Sequence, residues 1–328
     1  MENSSKSDKI KNMKLIVNLP AYNEDIKIGS TIKKIPRMIQ GVSEVFIQVI
    51  DDGSMDKTVQ TARDAGADFV FSHQVNRGIG VTFRTAIEKS LENGADIMVN
   101  MDADGQFNPS DIEKIIEPII KGEAELVSAS RFGGKKAKNM PRSKKWLNYI
   151  AAWIIGKFMN CRIEDLTCGF RGYSREALLR LNPVGGFTYT QETIIDAIGK
   201  NLKISWIPVE VTYFEGRKSR VVKSIFSYVN NSIRLILKAV RDVRPMRFFG
   251  GPGVALILVS FLLFGYFTIL YFQDFKITPF RNILLLAAFL LIVGIQFMVF
   301  AFIADMIKST RKIIEDQIYL AKKEKYKK

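Results

Sequence analysis

Apolar and polar positions along the first two hundred residues come in short blocks whose period switches between strand-like and helix-like. "MKLIVNLPAY" (13–22) and "EVFIQVIDDGS" (44–54) are apolar runs that end in polar or glycine-containing turns, and "DIKIGSTIKKIPRMI" (25–39) between them has helical spacing. The alternation continues with a helix at about 56–65, a short strand "ADFVFSH" (67–73), a helix "GVTFRTAIEKSLENG" (80–94) closed by Gly94, and a strand "ADIMVNMDAD" (95–104). "AELVSASRF" (124–132) reads as one more strand. Strands alternating with helices predict an α/β fold with a mostly parallel, doubly wound sheet. Ligands bind such sheets at the carboxyl ends of the strands, where "PAYNE" (20–24), "DDGS" (51–54) and "DADGQ" (102–106) all fall.

Further along, the apolar stretches lengthen. "WLNYIAAWIIGKFM" (146–159) is a helix too short to span a bilayer; Lys144, Lys145 and Lys157 flank Trp146, Tyr149 and Trp153, which suits a helix lying among headgroups and equally one packed on the sheet. "KSIFSYVNNSIRLILKAVRDVR" (223–244) is amphipathic and basic and leads into an uncharged run at 248–273; a second follows at 282–304. About 20 apolar residues cross a bilayer core of about 30 Å, so both runs are read as transmembrane helices joined in an antiparallel hairpin. The expected organisation is a polar tail (1–12) with no apolar core of a signal peptide, a globular domain (13–222), an amphipathic juxtamembrane helix (223–247), two spans within 248–307, and a basic tail (308–328).

Charge refines this picture. Lys and Arg number 48 against 33 acids, a net charge of +15, which suits a phosphate-bearing partner or an anionic membrane surface. Arg241, Arg244 and Arg247 precede the first span, and Lys308, Arg311, Lys312 and "AKKEKYKK" follow the second, against Lys276 and Arg281 between them. By the positive-inside rule both termini are expected to be cytoplasmic. Cys161 and Cys168 lack the spacing of a zinc or redox pair, and the one histidine, His73, falls at a strand end, so zinc is not expected.

The candidate chemistry is acidic. Asp102 and Asp104, with Gln106 behind them, offer hard oxygen ligands of the kind Mg2+ or Mn2+ takes while keeping waters and substrate phosphates. Asp-x-Asp pairs are also common in surface turns, so the pair alone does not decide. Asp51 and Asp52 form a second acidic strand end, where one carboxylate can accept from a base or ribose and the other can cap a helix. "NRGIG" (76–80) looks like a phosphate cradle but lacks the third glycine of a dinucleotide fingerprint.

"PAYNE", "VIDDGSMDKT" (49–58), "NRGIG", "DADGQ", "SASRF" (128–132) and "DLTCGFRGYSREAL" (165–178), in that order, resemble glycosyltransferase family 2, in particular its dolichyl-phosphate mannose synthase-like branch of polyprenyl-phosphate glycosyltransferases. The likeness covers about 14–247, and two C-terminal spans occur in that branch. It implies a GT-A fold, a nucleoside-diphosphate sugar donor, a polyprenyl phosphate acceptor, Mg2+ or Mn2+, inversion at the anomeric carbon, and no nucleic acid. By the same resemblance, Pro20, Tyr22, Glu24, Ile50 and Asp52 line the nucleoside pocket, and Asp102, Ala103, Asp104 and Gln106 meet the diphosphate and metal. Arg131 lies near the diphosphate and Asp165 near the sugar. Gln191 and Glu192 fall where members often carry an acidic residue, although Glu192 could equally cap its helix.

One departure is "TYFEGRKSRVV" (212–222), where the family commonly has an Arg-rich loop ending in Ser-Lys; Arg217, Ser219 and Arg220 can still donate to phosphate, or to lipid headgroups. The resemblance thus implies sugar transfer to a polyprenyl phosphate, catalysed chiefly by stabilising the leaving diphosphate; Asp104, Asp165, Arg131 and Glu192 are the candidate catalytic residues. A lipid-alcohol acceptor such as diacylglycerol would instead need a base, with Asp165 or Glu192 first in line. A processive polysaccharide synthase would carry a Gln-x-x-Arg-Trp motif and more spans, and a non-catalytic scaffold would not need intact carboxylates. UDP and GDP donors fit equally, and the small residues of "GGPG" (250–253) allow the close helix approach of a homo-oligomer.

Overall fold

The computed structural model describes residues 13–132, 142–183, 189–212, 233–234, 237, 240–275 and 277–327. The chain divides into a larger unit, Met1–Leu235 with Gln317–Lys328, and a smaller one, Ile236–Asp316.

The larger unit is built on seven strands: β1 (Lys14–Ala21), β2 (Glu44–Asp51), β3 (Phe69–Ser72), β4 (Ile97–Asn100), β5 (Leu126–Ser130), β6 (Arg171–Ser174) and β7 (Ile204–Pro208). Their order is β3-β2-β1-β4-β6-β5-β7. Pairing is parallel except around β6, which runs antiparallel to both β4 and β5. β1 is central, and after its first residue every position is buried, as the continuous apolar run requires of a strand covered on both faces. The helices are α1 (Ile28–Lys34), α2 (Thr58–Asp64), α3 (Ile79–Glu92), α4 (Ile112–Ile120), α5 (Arg142–Met159), α6 (Arg175–Arg180) and α7 (Tyr189–Gly199).

The expected helix at 25–39 is only seven residues long, because Ile35 precedes Pro36 and is extended at ψ 123°. Residues Leu15, Val17, Leu19, Ile47, Val49, Ile97 and Val99 join Ile28, Ile32, Ile112, Ile115 and Ile116 in one core. A Cβ on Gly172 would come within 2.8 Å of Ile115, so glycine lets α4 lie directly on β6. The hydrophobic pattern does not predict β6 or β7: "RGYS" has no apolar alternation, and β7 is an edge strand that is only half-buried.

In the smaller unit a π-helical turn, Met246–Gly250, opens α8 (Gly251–Asp274), and α9 (Arg281–Lys325) follows a short loop. Both helices are long and apolar enough to cross a membrane. They pack closely at Gly253 and Gly294, where added Cβ atoms would lie 3.1 Å from each other's carbonyl oxygens, and the Ser260 hydroxyl donates to the Ala287 carbonyl at 2.7 Å. α9 departs from expectation by running unbroken to Lys325, so most of the stretch expected as a basic tail is helix. At 1.5 Å per residue it is roughly 68 Å long, over twice a bilayer core.

Candidate active site

The carboxyl edge of the sheet gathers the sequence candidates from separate strands. Pro20 and Ile50 sit side by side in register on β1 and β2, both buried. The loops that follow are stitched together: the Asn23 N–H donates to Ser54 Oγ (2.8 Å), the Met55 N–H to Asn23 Oδ1 (2.9 Å), and the Glu24 N–H to Thr58 Oγ1 (2.8 Å). The Glu24 carbonyl accepts the N–H groups of Lys27 and Ile28, so the residue starts α1. Tyr22 projects outward at 36% exposure.

Asp52 is buried and pins the loop ahead of α3. Its carboxylate accepts from the backbone N–H groups of Arg77 (2.9 Å) and Gly78 (2.8 Å) and lies 2.8 Å from His73 Nδ1, whose other nitrogen is 3.0 Å from Thr85 Oγ1. Gly53, at φ +75°, lets this crossing happen, since a Cβ there would lie 2.7 Å from the Val75 backbone. His73 stands just past β3, as its sequence position suggests, and the part "NRGIG" plays toward Asp52 had no signal beyond its glycines.

After β4 the chain turns through Asp102–Gln106. Ala103 is buried with its carbonyl accepting from Thr31 Oγ1 at 3.1 Å, and the Gln106 N–H donates to Asp104 Oδ1 at 3.0 Å across Gly105, at φ +74°. Phe107 anchors the far side against Phe170. Two half-buried carboxylates and an amide are a donor set that fits Mg2+ or Mn2+, which take few protein ligands and complete their shell with water and phosphate oxygens. Among the described residues no group of three His, Cys, Asp or Glu side chains competes for a metal.

Arg131 and Asp165, 34 residues apart, are brought into contact. Arg131 Nε donates to Asp165 Oδ2 (2.6 Å) and Nη2 to Oδ1 (2.8 Å), the two-pronged geometry of a guanidinium on a carboxylate. Asp165 has no exposed surface and also accepts from the Thr167 N–H and from Asn148 Nδ2 on α5. Thr167 and Asn148 carried no signal in the sequence. The place near the sugar implied for Asp165 is thus taken up with Arg131: its carboxylate holds the guanidinium in plane rather than facing open space. Cys168, next in this loop, is fully buried; burial first and the nearby Asp165 charge second push its thiol up to about 12.

Gln191 is 3% exposed on α7, and its Oε1 has no hydrogen-bond partner among the described residues; Glu192, half-buried, lies in the first turn of that helix, where a carboxylate suits the dipole. Arg217, Ser219 and Arg220 lie outside the described residues.

The sequence profile of glycosyl transferase family 2 matches residues 16–181. This chain belongs to glycosyltransferase family 2. It is a glycosyltransferase, and the matched stretch holds every candidate from Pro20 to Asp165. A UDP-N-acetylglucosamine--dolichyl-phosphate N-acetylglucosaminyltransferase of Methanococcus voltae is 31% identical over 222 residues, 62% of this chain and 87% of that protein. A dolichol-phosphate mannosyltransferase of Pyrococcus furiosus is 28% identical over 257 residues, 76% and 70% of the two chains. Among solved structures, glucosyl-3-phosphoglycerate synthase from Mycobacterium tuberculosis, crystallised with Mg2+ and UDP, superposes with a TM-score of 0.56 at 21% identity, over 73% of this chain and 83% of that one. The family fold is therefore a GT-A-like sheet, here followed by two apolar helices.

Proposed function

We propose that this glycosyltransferase moves a sugar, with inversion, from a nucleoside diphosphate to the phosphate of a polyprenyl lipid at the cytoplasmic face of a membrane. The observation that carries the reading is the Asp102/Asp104 pair at the carboxyl end of β4, in a family 2 domain whose chain continues into two helices long and apolar enough to cross a membrane. The names of the Methanococcus and Pyrococcus relatives, which specify dolichyl or dolichol phosphate, support the acceptor class.

Asp102, Asp104 and Gln106 would hold a divalent ion, which when bound supplies positive charge to the departing diphosphate. Arg131 adds a second fixed positive charge: Asp165 and Thr167 hold its guanidinium, so little reorganisation is needed as charge develops. A phosphate monoester is already anionic near neutral pH, so the acceptor needs no side chain to take its proton. This agrees with the placement of Asp165, whose oxygens are engaged by Arg131, Asn148 and the Thr167 N–H, which leaves Glu192 as the base that a lipid-alcohol acceptor would need. Glu192, in the first turn of α7, would approach the sugar. Pro20, Tyr22, Glu24, Ile50 and Asp52 would frame the base, and the 217–220 loop would reach the phosphates.

The test is release of UDP or GDP from a panel of nucleotide sugars by the full chain in lipid, with and without polyprenyl phosphate. Release should depend on the acceptor and on Mg2+ or Mn2+, and Asp104→Asn should lower turnover at least about 100-fold. Near-full turnover in that variant would sink the mechanism. Release with diacylglycerol alone would move the acceptor class.

A further inference from the structure

A row of polar side chains crosses the sheet where apolar ones would be expected. Gln48 on β2, Asn18 on β1, Asn100 on β4, Arg171 on β6 and Ser128 on β5 stand opposite one another in register, and all five are fully shielded from solvent. Gln48 Nε2 donates to Asn18 Oδ1 (3.0 Å), Asn18 Nδ2 to Asn100 Oδ1 (2.7 Å), and Arg171 Nε to Ser128 Oγ (3.2 Å). α7 closes the row between Asn100 and Arg171: Asn100 Nδ2 donates to Tyr189 Oη at 2.7 Å, and Arg171 Nη1 to the Thr190 carbonyl at 2.7 Å. A buried hydrogen-bonded network adds little stability over well-packed apolar side chains, but it fixes geometry closely.

What the row fixes lies beside the acidic turn. Asn100 Nδ2 and Tyr189 Oη both donate to the Gly169 carbonyl, at 3.2 and 3.3 Å. Gly169 in turn abuts Asp102: a Cβ there would lie 3.2 and 3.4 Å from the two carboxylate oxygens and 3.1 Å from Tyr189 Oη. Tyr189 is stacked on Phe83 at 4.1 Å between ring centres. Its burial, and after that the charge of Asp102, raise its pKa well above the ordinary value, so the phenol remains a donor.

We propose that Asn100 and Tyr189 are positioning residues for Asp102: they hold the Gly169 backbone, and Gly169 sets where the Asp102 carboxylate stands to receive the divalent ion of a nucleoside diphosphate. This rests on the metal role given to Asp102 above. It ties a ligand on one loop to β6, which begins at Arg171, and to the loop before it, which carries Asp165, through side chains outside the ligand set.

The test measures Mn2+ binding directly, by loss of the free-ion electron paramagnetic resonance signal, on the full chain in detergent with UDP or GDP and no acceptor. Tyr189→Phe removes one oxygen and keeps the ring on Phe83. It should weaken Mn2+ binding about tenfold, as loss of an outer-shell partner does, with a melting temperature close to that of the parent. Gln48→Met, at the other end of the row, should lower the melting temperature and leave Mn2+ affinity unchanged. Parent-like Mn2+ affinity in Tyr189→Phe overturns the proposal, as does weakening in both variants in proportion to lost stability. Should Tyr189→Phe not fold, Gly169→Ala decides on the same readout, since its methyl group pushes on Asp102 directly. If the parent itself binds no Mn2+ with either nucleotide, the functional reading falls, and this inference with it; a binding parent with unaffected variants overturns this inference alone.

Discussion

Asp165 and Arg131 show how a residue's chemistry depends on what the fold sets beside it. Each was visible in its own motif, but nothing in the sequence says that they meet. They do so because β5, which ends at Ser130, and the loop before β6 are joined by an antiparallel strand placed between β4 and β5. Removing one partner of a buried ion pair leaves the other charge stranded. Asp165→Asn should therefore destabilise the catalytic unit by about 3–5 kcal/mol, measured by chemical denaturation, and lower turnover. The double variant Arg131→Met with Asp165→Leu should recover much of that stability without recovering activity, separating the structural cost from the electrostatic role. The neighbouring thiol gives a pH prediction. With Cys168 pushed up to about 12 by burial, the reactive thiolate is scarce at pH 8, and the shielded sulfur stays protonated until far above it. A maleimide should modify Cys161 in the native protein and both cysteines after denaturation, as read by mass spectrometry.

At the scale of elements, legibility followed the hydrophobic period. β1, β2, β4 and β5 are readable because each buries an apolar run, α1 to α3 follow from the helical spacing between the strands, and the acidic turns fall at the strands' carboxyl ends; α4, after the acidic turn of β4, has no counterpart in the sequence reading. β6 is not readable, since Arg171, Gly172 and Ser174 show no apolar alternation, and the polar row through Asn18, Gln48 and Asn100 cannot be told from a solvated face by residue type. The end of α9 was also hidden, because "IYLAKKEKYKK" (318–328) reads as a charged tail. In the structure Gln317–Lys328 belongs to the catalytic unit. Tyr319 Oη donates to Glu176 on α6 at 3.3 Å with the Arg180 guanidinium over its ring, Lys322 Nζ donates to Asn182 Oδ1 at 2.6 Å, and Arg175 donates to the Tyr326 carbonyl. α6 is six residues long and too short to hold itself. Ending the chain after Asp316 should speed amide hydrogen exchange across 175–180 while leaving β1 and β2 protected. Unchanged exchange there would show that the tail contributes nothing to α6.

For the whole molecule, the docking of the C-terminal turns bears on topology independently of charge counting. From the excess of Lys and Arg before 248 and after 304, the positive-inside rule predicts a cytoplasmic side for the ends of the hairpin. Separately, Tyr319 and Lys322 reach Glu176 and Asn182; in a membrane these contacts would put the end of α9 and the catalytic sheet on one side, which calls for an even number of crossings between them. Two apolar helices meet that condition and one would not. The α8–α9 loop, where Thr278 is exposed, is then predicted to face the opposite side. In a Cys161→Ala background, a membrane-impermeant maleimide applied to sealed right-side-out vesicles should label Thr278→Cys and leave Ala321→Cys unlabelled until the vesicles are opened. Inverted vesicles should reverse the pattern, and in them nucleotide-sugar added outside should reach the active site without a transporter. Labelling of both positions in sealed vesicles would mean that α9 ends outside, and the tail contacts with α6 would then not form in the membrane.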